Sequence, residues 1–95
     1  MKKNKISKNW INKQSKDLYF RESKIQGYRS RAVFKLIEMN KKFKFLKKNS
    51  LIIDLGSCPG SWSQYASKEI RNGKILAVDI LSMKEIDKVN FMKGD

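Results

Sequence analysis

The clearest structural signal in the chain is residues 51–79, LIIDLGSCPGSWSQYASKEIRNGKILAVD. This stretch begins and ends with short apolar runs, at 51–55 and 74–79, that predict buried strands of a parallel sheet. Between them, apolar residues at helical spacing predict a helix over 61–71. The order strand, helix, strand is typical of the first unit of a doubly wound α/β fold.

Weaker signals flank this stretch on both sides. Downstream, residues 82–88 form a polar connection and residues 89–92 predict a third strand. Upstream, a helix is predicted over residues 31–43, with Ser30 as its capping residue. The side chains on its packing stripe are Val33, Leu36, Ile37 and Asn40. Residues 1–28 show little hydrophobic periodicity, so we expect a partly ordered basic arm there.

The predicted sheet is open on one side. In a doubly wound sheet the first strand is central, with the next two strands on one side and later strands on the other. The chain ends before such later strands, so the strand at 51–55 should have an unpaired apolar edge. We therefore expect the N-terminal half of a larger domain, recorded as a partial sequence.

The positive charge of the chain is concentrated in its first half. The net charge is +13, from 22 lysines and arginines against 9 acidic residues. Residues 1–50 hold 16 basic and 3 acidic residues, whereas residues 51–95 hold 6 of each. This charge predicts a polyanionic partner, and the interleaved aromatic residues Trp10, Tyr19 and Tyr28 suggest stacking on unpaired bases. We therefore divide the chain into a basic arm and helix that we expect to bind nucleic acid, 1–50, and a second unit, 51–95.

The composition excludes several classes of site. The chain has no histidine, which removes Ser-His-Asp and Cys-His nucleophile systems and argues against a zinc or other metal site. The single cysteine, Cys58, cannot form an intramolecular disulfide and fits a reducing compartment. No apolar stretch approaches the length of a membrane span or a signal peptide. We expect a cytoplasmic protein with no membrane partner and no metal.

The loop after the first strand, DLGSCPGSW at 54–62, indicates a cofactor site. Its spacing, Asp-x-Gly-x-x-x-Gly, differs from that of nicotinamide-binding domains, so we disfavour that class. The acidic Asp54 would suit a cofactor with a positively charged amino acid moiety, and Asp79 is placed to accept two ribose hydroxyls. Together these features favour S-adenosylmethionine. The alternative is structural: Asp54 bonding loop amides, glycines shaping a tight turn and Trp62 in the core.

Four motifs carry a family resemblance. RSRAVFKLIEM (29–39), DLGSCPGSWSQY (54–65), AVDIL (77–81) and FMKGD (91–95) occur in this order. Over residues 7–95 the chain resembles FtsJ/RrmJ-type ribosomal RNA 2′-O-ribose methyltransferases, which modify a uridine of the large-subunit RNA. The resemblance implies a Rossmann-like S-adenosylmethionine-dependent methyltransferase fold, here its N-terminal half preceded by a basic helical arm. Residues 51–95 would be the truncated first half of the S-adenosylmethionine-binding methyltransferase domain, and residues 1–50 the basic RNA-binding arm and helix. It also implies ribosomal RNA, or the large ribosomal subunit, as partner and a monomer when complete.

The resemblance assigns roles to individual residues. Lys35 matches the first lysine of the family's Lys-Asp-Lys-Glu catalytic set; without the resemblance it would be an ordinary surface residue. By the resemblance, Gly60, Trp62, Asp79 and Asp95 would contact S-adenosylmethionine. Asp54 and Gly56 of the loop discussed above complete the predicted cofactor-binding residues. The loop departs from the family at Ser57-Cys58 and Ser61, where alanines and glycine are usual.

Two functions remain open at this point. The other three members of the catalytic set lie beyond the last residue, so the chain alone is expected to be inactive. The first possibility is part of a longer enzyme that transfers a methyl group to a ribose 2′-hydroxyl. The alternative is a non-catalytic basic RNA-binding remnant that lacks the C-terminal catalytic half.

Overall fold

The computed structural model describes residues 16–94, which form three helices and a three-stranded parallel sheet. Helix α1 includes residues 16–25, α2 is Val33–Phe43 and α3 is Ser61–Glu69. The strands are β1 (Leu51–Leu55), β2 (Lys74–Asp79) and β3 (Asn90–Lys93). Within the described residues, every helix falls short of the length and hydrophobicity that a bilayer span requires.

The sheet has the predicted topology. Its strand order is β1-β2-β3, and both pairs are parallel. Ile53 lies opposite Leu76 in the first pair, and Val78 lies opposite Met92 in the second. The bounds of β1 and β2 confirm the prediction from the sequence, and β3 lies one residue further along than expected. The carboxyl ends of all three strands therefore meet at one edge of the sheet.

The two faces of the sheet differ in burial. On the face that α3 covers, Ile75 is 2% exposed and Ala77 is fully buried. On the opposite face, Leu51, Ile53 and Leu55 are between 66% and 78% exposed. The expectation of a first strand buried on both faces is therefore wrong, because β1 is an edge strand packed on one side only. The prediction that β1 lies at an edge of the sheet is confirmed for the described residues.

The core connects α2 to the sheet. Leu36 of α2 and Leu46, which follows this helix, lie in one buried cluster with Ala66, Ile70 and Ile75. The predicted packing stripe of α2 is largely confirmed, since Val33, Leu36 and Asn40 are buried. The amide oxygen of Asn40 accepts a hydrogen bond from the Leu46 N–H at 2.9 Å. This bond fixes the turn that leads the chain from α2 towards β1.

One expectation for the first half is confirmed and one is wrong. Residues 16–25 are helical, in agreement with the basic helical arm, and Tyr19 anchors α1: its ring stacks on Phe34 at 5.1 Å. The Tyr19 hydroxyl also donates a hydrogen bond to Glu38. Ser30 does not cap α2, which begins at Val33 after Ala32 and has no side-chain cap. The Ser30 hydroxyl is instead bonded to another helix, as described below.

Candidate cofactor site

The carboxyl ends of the strands bring the predicted loop and Asp79 together. We call residues 56–60, between β1 and α3, the glycine loop. The Gly56 N–H donates to the Val78 carbonyl at 2.8 Å, so the loop leaves β1 beside the end of β2. The Gly94 N–H donates to the Asp79 carbonyl at 2.9 Å, which places the end of β3 next to the same point. Ligands of parallel sheets commonly bind at such an edge.

Asp79 is held by backbone amides. Its Oδ1 accepts from the Leu81 N–H at 3.0 Å, and its Oδ2 accepts from the Cys58 N–H at 2.8 Å. These hydrogen bonds, the one from Leu81 first, lower the pKa of Asp79 below its ordinary value. The carboxylate is therefore ionised at neutral pH. A carboxylate has about four acceptor positions, so Asp79 can still accept a hydrogen bond from a further hydroxyl donor.

A cavity of about 600 Å³ lies between α2, α3 and the free edge of β1. This size is within the range of small-molecule sites, roughly 300–1,000 Å³. Three of the predicted cofactor residues line it: Asp54, Gly56 and Trp62. Asp54 accepts a hydrogen bond from the Ser63 hydroxyl at 2.6 Å, while the Trp62 indole N–H donates to the Ala32 carbonyl at 2.9 Å. Both residues thus join secondary-structure elements as well as lining the cavity.

The two glycines of the loop have different surroundings. Gly56 has a φ of 69°, and no atom lies within 4 Å of the position where a Cβ would stand. Gly60 has a φ of 114°, and a Cβ there would lie 2.8 Å from Ile86 Cδ1 and 3.1 Å from an Arg29 guanidinium nitrogen. Gly56 therefore leaves open space beside the cavity, whereas Gly60 permits close packing of neighbouring side chains.

The remaining predicted residues do not line the cavity, although Pro59 and Ser61 on either side of Gly60 do. Gly60 and Asp79 lie on the side of the loop that faces the connection between β2 and β3. Lys35 is exposed on α2 and does not line the cavity, although Ala32 and Leu36 of the same segment do. Asp95 lies outside the described residues. The structure thus brings Asp54, Gly56 and Trp62 together and leaves Lys35 apart from them.

The sequence analysis did not predict the structural roles of two serines in α3. Ser63 is 1% exposed and holds Asp54, and Ser61 is 3% exposed with its hydroxyl 2.7 Å from that of Ser30. A signal existed for Ser63, because it precedes Ala66 and Ile70 at helical spacing and so lies on the face towards the sheet. None existed for Ser61, since its partner is 31 residues away in the chain.

The aromatic residues predicted to stack on bases have internal partners. One face of Tyr19 lies against Phe34, and the Lys68 ammonium lies 4.3 Å from the centre of the Tyr28 ring. Trp10 lies outside the described residues. The observed contacts thus give Tyr19 and Tyr28 a role in packing.

Comparison with known proteins identifies the family. Residues 28–95 match the sequence profile of the FtsJ-like methyltransferases. The chain belongs to this family. FtsJ-like methyltransferases in general depend on S-adenosylmethionine.

Two bacterial relatives and one solved structure illustrate the similarity. The ribosomal RNA large subunit methyltransferase E of Pelagibacter ubique (strain HTCC1062) is 52% identical over 95 residues, which are 100% of this chain and 47% of that protein. The protein of the same name from Legionella pneumophila (strain Paris) is 42% identical over 96 residues, again 100% of this chain and 47% of that protein. The chain therefore spans about half the length of these relatives. A ribosomal RNA methyltransferase from Plasmodium falciparum superposes with a TM-score of 0.67 at 46% identity, covering 72% of this chain and 38% of that one.

The residues present fit the cofactor of an FtsJ-like methyltransferase. Gly56 leaves space for a ligand beside the loop, and the ionised Asp79 retains acceptor positions for hydroxyl groups. Asp54, in the wall of the cavity, offers a carboxylate that suits a positively charged group. Residues 16–94 contain no group of three or more His, Cys, Asp or Glu side chains arranged to hold a metal ion.

Proposed function

We propose that the natural protein that carries this chain transfers a methyl group from S-adenosylmethionine to a ribose 2′-hydroxyl, that of a uridine, in large-subunit ribosomal RNA. The observation that carries the proposal is the ionised Asp79, held by loop amides at the carboxyl end of β2 beside the glycine loop. The relatives named above, which are ribosomal RNA large subunit methyltransferases, support the substrate class.

Each site residue receives a role under this proposal. Asp79 would accept the two ribose hydroxyls of the cofactor, for which its free acceptor positions are suited. Asp54 and the open backbone at Gly56 would hold the charged amino acid moiety. The remaining proposed contacts are Gly60, Trp62 and Asp95. When bound, the cofactor supplies a methyl group activated by a positively charged sulfur.

Lys35 is the proposed catalytic residue of this chain. A lysine assists methyl transfer to a hydroxyl in one of two ways: as an ammonium it orients the oxygen, and as a desolvated amine it accepts the proton. Lys35 is exposed on α2, so a bound RNA would be what desolvates it. The start of its helix is joined to α3, which follows the glycine loop, through the Trp62 to Ala32 hydrogen bond, and this supports its inclusion in the site.

The basic first half, residues 1–50, is proposed as the RNA-binding region. Because Tyr19 and Tyr28 are engaged in internal contacts, we expect binding through lysines and arginines on phosphates rather than through stacking by these two rings. Affinity for RNA should then fall steeply between about 50 and 200 mM salt. An affinity indifferent to salt over this range would contradict the electrostatic contact. A cytoplasmic location and a monomeric state complete the proposal.

The decisive experiment compares Lys35→Ala with Lys74→Ala in the whole natural gene product. Lys74 is also an exposed lysine, and it begins β2, at the end of this strand opposite Asp79. We expect Lys35→Ala nearly to abolish single-turnover methylation of large-subunit RNA while the affinity for S-adenosylmethionine is largely unchanged. Lys74→Ala should leave both unchanged. An unchanged rate in Lys35→Ala would remove Lys35 from the catalytic set.

A second function, RNA binding without catalysis, is favoured by one observation. All excess charge lies in residues 1–50, while the predicted catalytic lysine stands apart from the cavity. Under this alternative the natural protein binds RNA in a salt-dependent manner but transfers no methyl group at any enzyme concentration. Turnover by the natural protein would exclude it.

A further inference from the structure

The side chain of Arg29 is bonded to backbone carbonyls of two separate segments. One guanidinium nitrogen donates to the Pro59 carbonyl of the glycine loop at 2.9 Å. The same nitrogen donates to the Lys84 carbonyl at 2.7 Å, and the other terminal nitrogen donates to the Glu85 carbonyl at 2.9 Å. The guanidinium thus connects the glycine loop to the connection between β2 and β3, residues 80–89.

The chemistry of both partners suits this contact. The connection has no regular helix or strand at Lys84 and Glu85, so their carbonyls lack ladder partners and need other donors. A guanidinium is planar and presents several donors in fixed directions, whereas a lysine ammonium is a compact point charge. Arginine can therefore serve two successive carbonyls and the loop at once, which lysine cannot do with the same geometry.

The backbone of Arg29 is itself fixed. Its N–H donates to Gln64 Oε1 of α3 at 2.8 Å, and Gln64 Nε2 donates to the Gly27 carbonyl at 3.2 Å. The guanidinium therefore extends from an anchored point, not from a loose turn. The hydroxyl of the next residue, Ser30, is bonded to that of Ser61, and the Ala32 carbonyl accepts from the Trp62 indole N–H. Residues 29–32 are therefore held against the start of α3.

We propose that Arg29 is a positioning residue of the cofactor site rather than an RNA contact. It joins the glycine loop to the connection that follows Asp79. The distance between the loop and Asp79, which would both contact the cofactor, is thereby kept constant. The proposal rests on the proposed function in so far as the ligand is S-adenosylmethionine. The neighbouring Arg31 is exposed, which makes it a matched control for Arg29.

The test compares Arg29→Ala, Arg29→Lys and Arg31→Ala in the whole natural gene product. Affinity for S-adenosylmethionine is measured by titration, and amide hydrogen exchange is followed in residues 56–61 and 82–88. In Arg29→Ala we expect the Kd to rise by about tenfold or more, since hydrogen bonds from a charged donor are lost, and exchange to accelerate in both segments. Arg29→Lys should fall between Arg29→Ala and the natural protein, and Arg31→Ala should match the natural protein in both measurements.

The two measurements separate the possible failures. Equal exchange in Arg29→Ala and Arg31→Ala would overturn the proposal. Faster exchange with an unchanged Kd would also overturn it, because Arg29 would then be merely structural. If the natural protein itself binds no S-adenosylmethionine, the proposed function is refuted, and the exchange comparison alone decides whether Arg29 holds the two segments together.

Discussion

The two sides of the glycine loop are built differently. On the side of the cavity, Gly56 has open space where a side chain would stand, and Asp54 and Trp62 form part of the wall. On the other side, a Cβ at Gly60 would lie 2.8 Å from Ile86 Cδ1 and 3.1 Å from an Arg29 guanidinium nitrogen, both closer than ordinary van der Waals contact. One short loop therefore combines an open surface and a closely packed one.

This difference indicates that one side of the glycine loop faces the ligand while the other side holds the loop in place, although the loop is one continuous motif in the sequence. The open side has the features of a ligand site, because backbone is accessible and a carboxylate faces the space. The packed side holds the loop in place through the bonds of Asp79 and Arg29 to its backbone. We therefore expect substitutions on the packed side to lower stability as well as cofactor affinity, and substitutions on the open side to act mainly on the ligand.

The largest effect is expected for Gly60→Ala. The φ of 114° is strained for any residue with a Cβ, and the new methyl would press on Ile86 and the Arg29 guanidinium. We expect a loss of about 2–3 kcal/mol in the free energy of unfolding, measured by urea denaturation of the whole natural gene product. A loss no greater than that of Gly56→Ala would mean that the packed side is not more constrained than the open one.

Asp79→Asn should have the next largest effect and changes the response to pH. The folded-state pKa of Asp79 lies below its ordinary value of 3.8, so the carboxylate stabilises the fold above that value and the stabilisation is lost as the pH falls below it. The asparagine variant lacks this titration, and its stability should therefore fall less steeply between about pH 5 and pH 3. Its affinity for S-adenosylmethionine should drop about tenfold, because one charged acceptor is gone.

Denaturation at several pH values checks the first part of this prediction, and titration with the cofactor at neutral pH checks the second. Asp87→Asn is a matched control, since Asp87 is an exposed carboxylate in the connection between β2 and β3. If both variants show the same pH dependence of stability, the amide bonds to Asp79 do not couple it to folding.

How far the sequence predicts this architecture depends on the range of the interactions. The bounds of β1 and β2 were predictable because apolar runs and the glycine loop are local signals. The division between residues 1–50 and 51–95 stays a prediction, as do the roles of Lys35 and the cofactor residues. The bond between Ser30 and Ser61 was not predictable, since local pattern cannot show which of two available partners, a helix end or a distant hydroxyl, a serine will take.

The helix at residues 16–25 agrees with the basic helical arm that the family resemblance implies, but hydrophobic periodicity did not indicate it. Its contact with the rest of the molecule depends on Tyr19, while its other large apolar side chains, Leu18, Phe20 and Ile25, are at least 51% exposed. An amphipathic stripe is the main signal for a helix in a sequence, and this helix has none that is buried. By contrast, the stripe on α2 was visible because three of its members are in the core.

Gly56→Ala tests the open side directly. An alanine in the left-handed region costs about 1–2 kcal/mol, and at this position nothing within 4 Å adds to that cost. The loss of stability should therefore be smaller than in Gly60→Ala, whereas the affinity for S-adenosylmethionine should fall by more than the stability loss accounts for. Titration well below the melting temperature separates the two effects. Unchanged cofactor affinity would place the ligand away from Gly56.

The smallest effect is expected for Trp62→Phe, which keeps an aromatic ring in the cavity wall but removes the indole N–H. That group donates to the Ala32 carbonyl at 2.9 Å and joins α3 to the start of α2. Loss of one such hydrogen bond should lower the free energy of unfolding by about 1 kcal/mol. Trp62→Leu is the companion variant, because it removes the ring as well and should weaken cofactor binding further if the ring contacts the ligand. Equal cofactor affinity in the two variants would limit Trp62 to holding the helices together, and the open side would then depend on Asp54 and Gly56 alone.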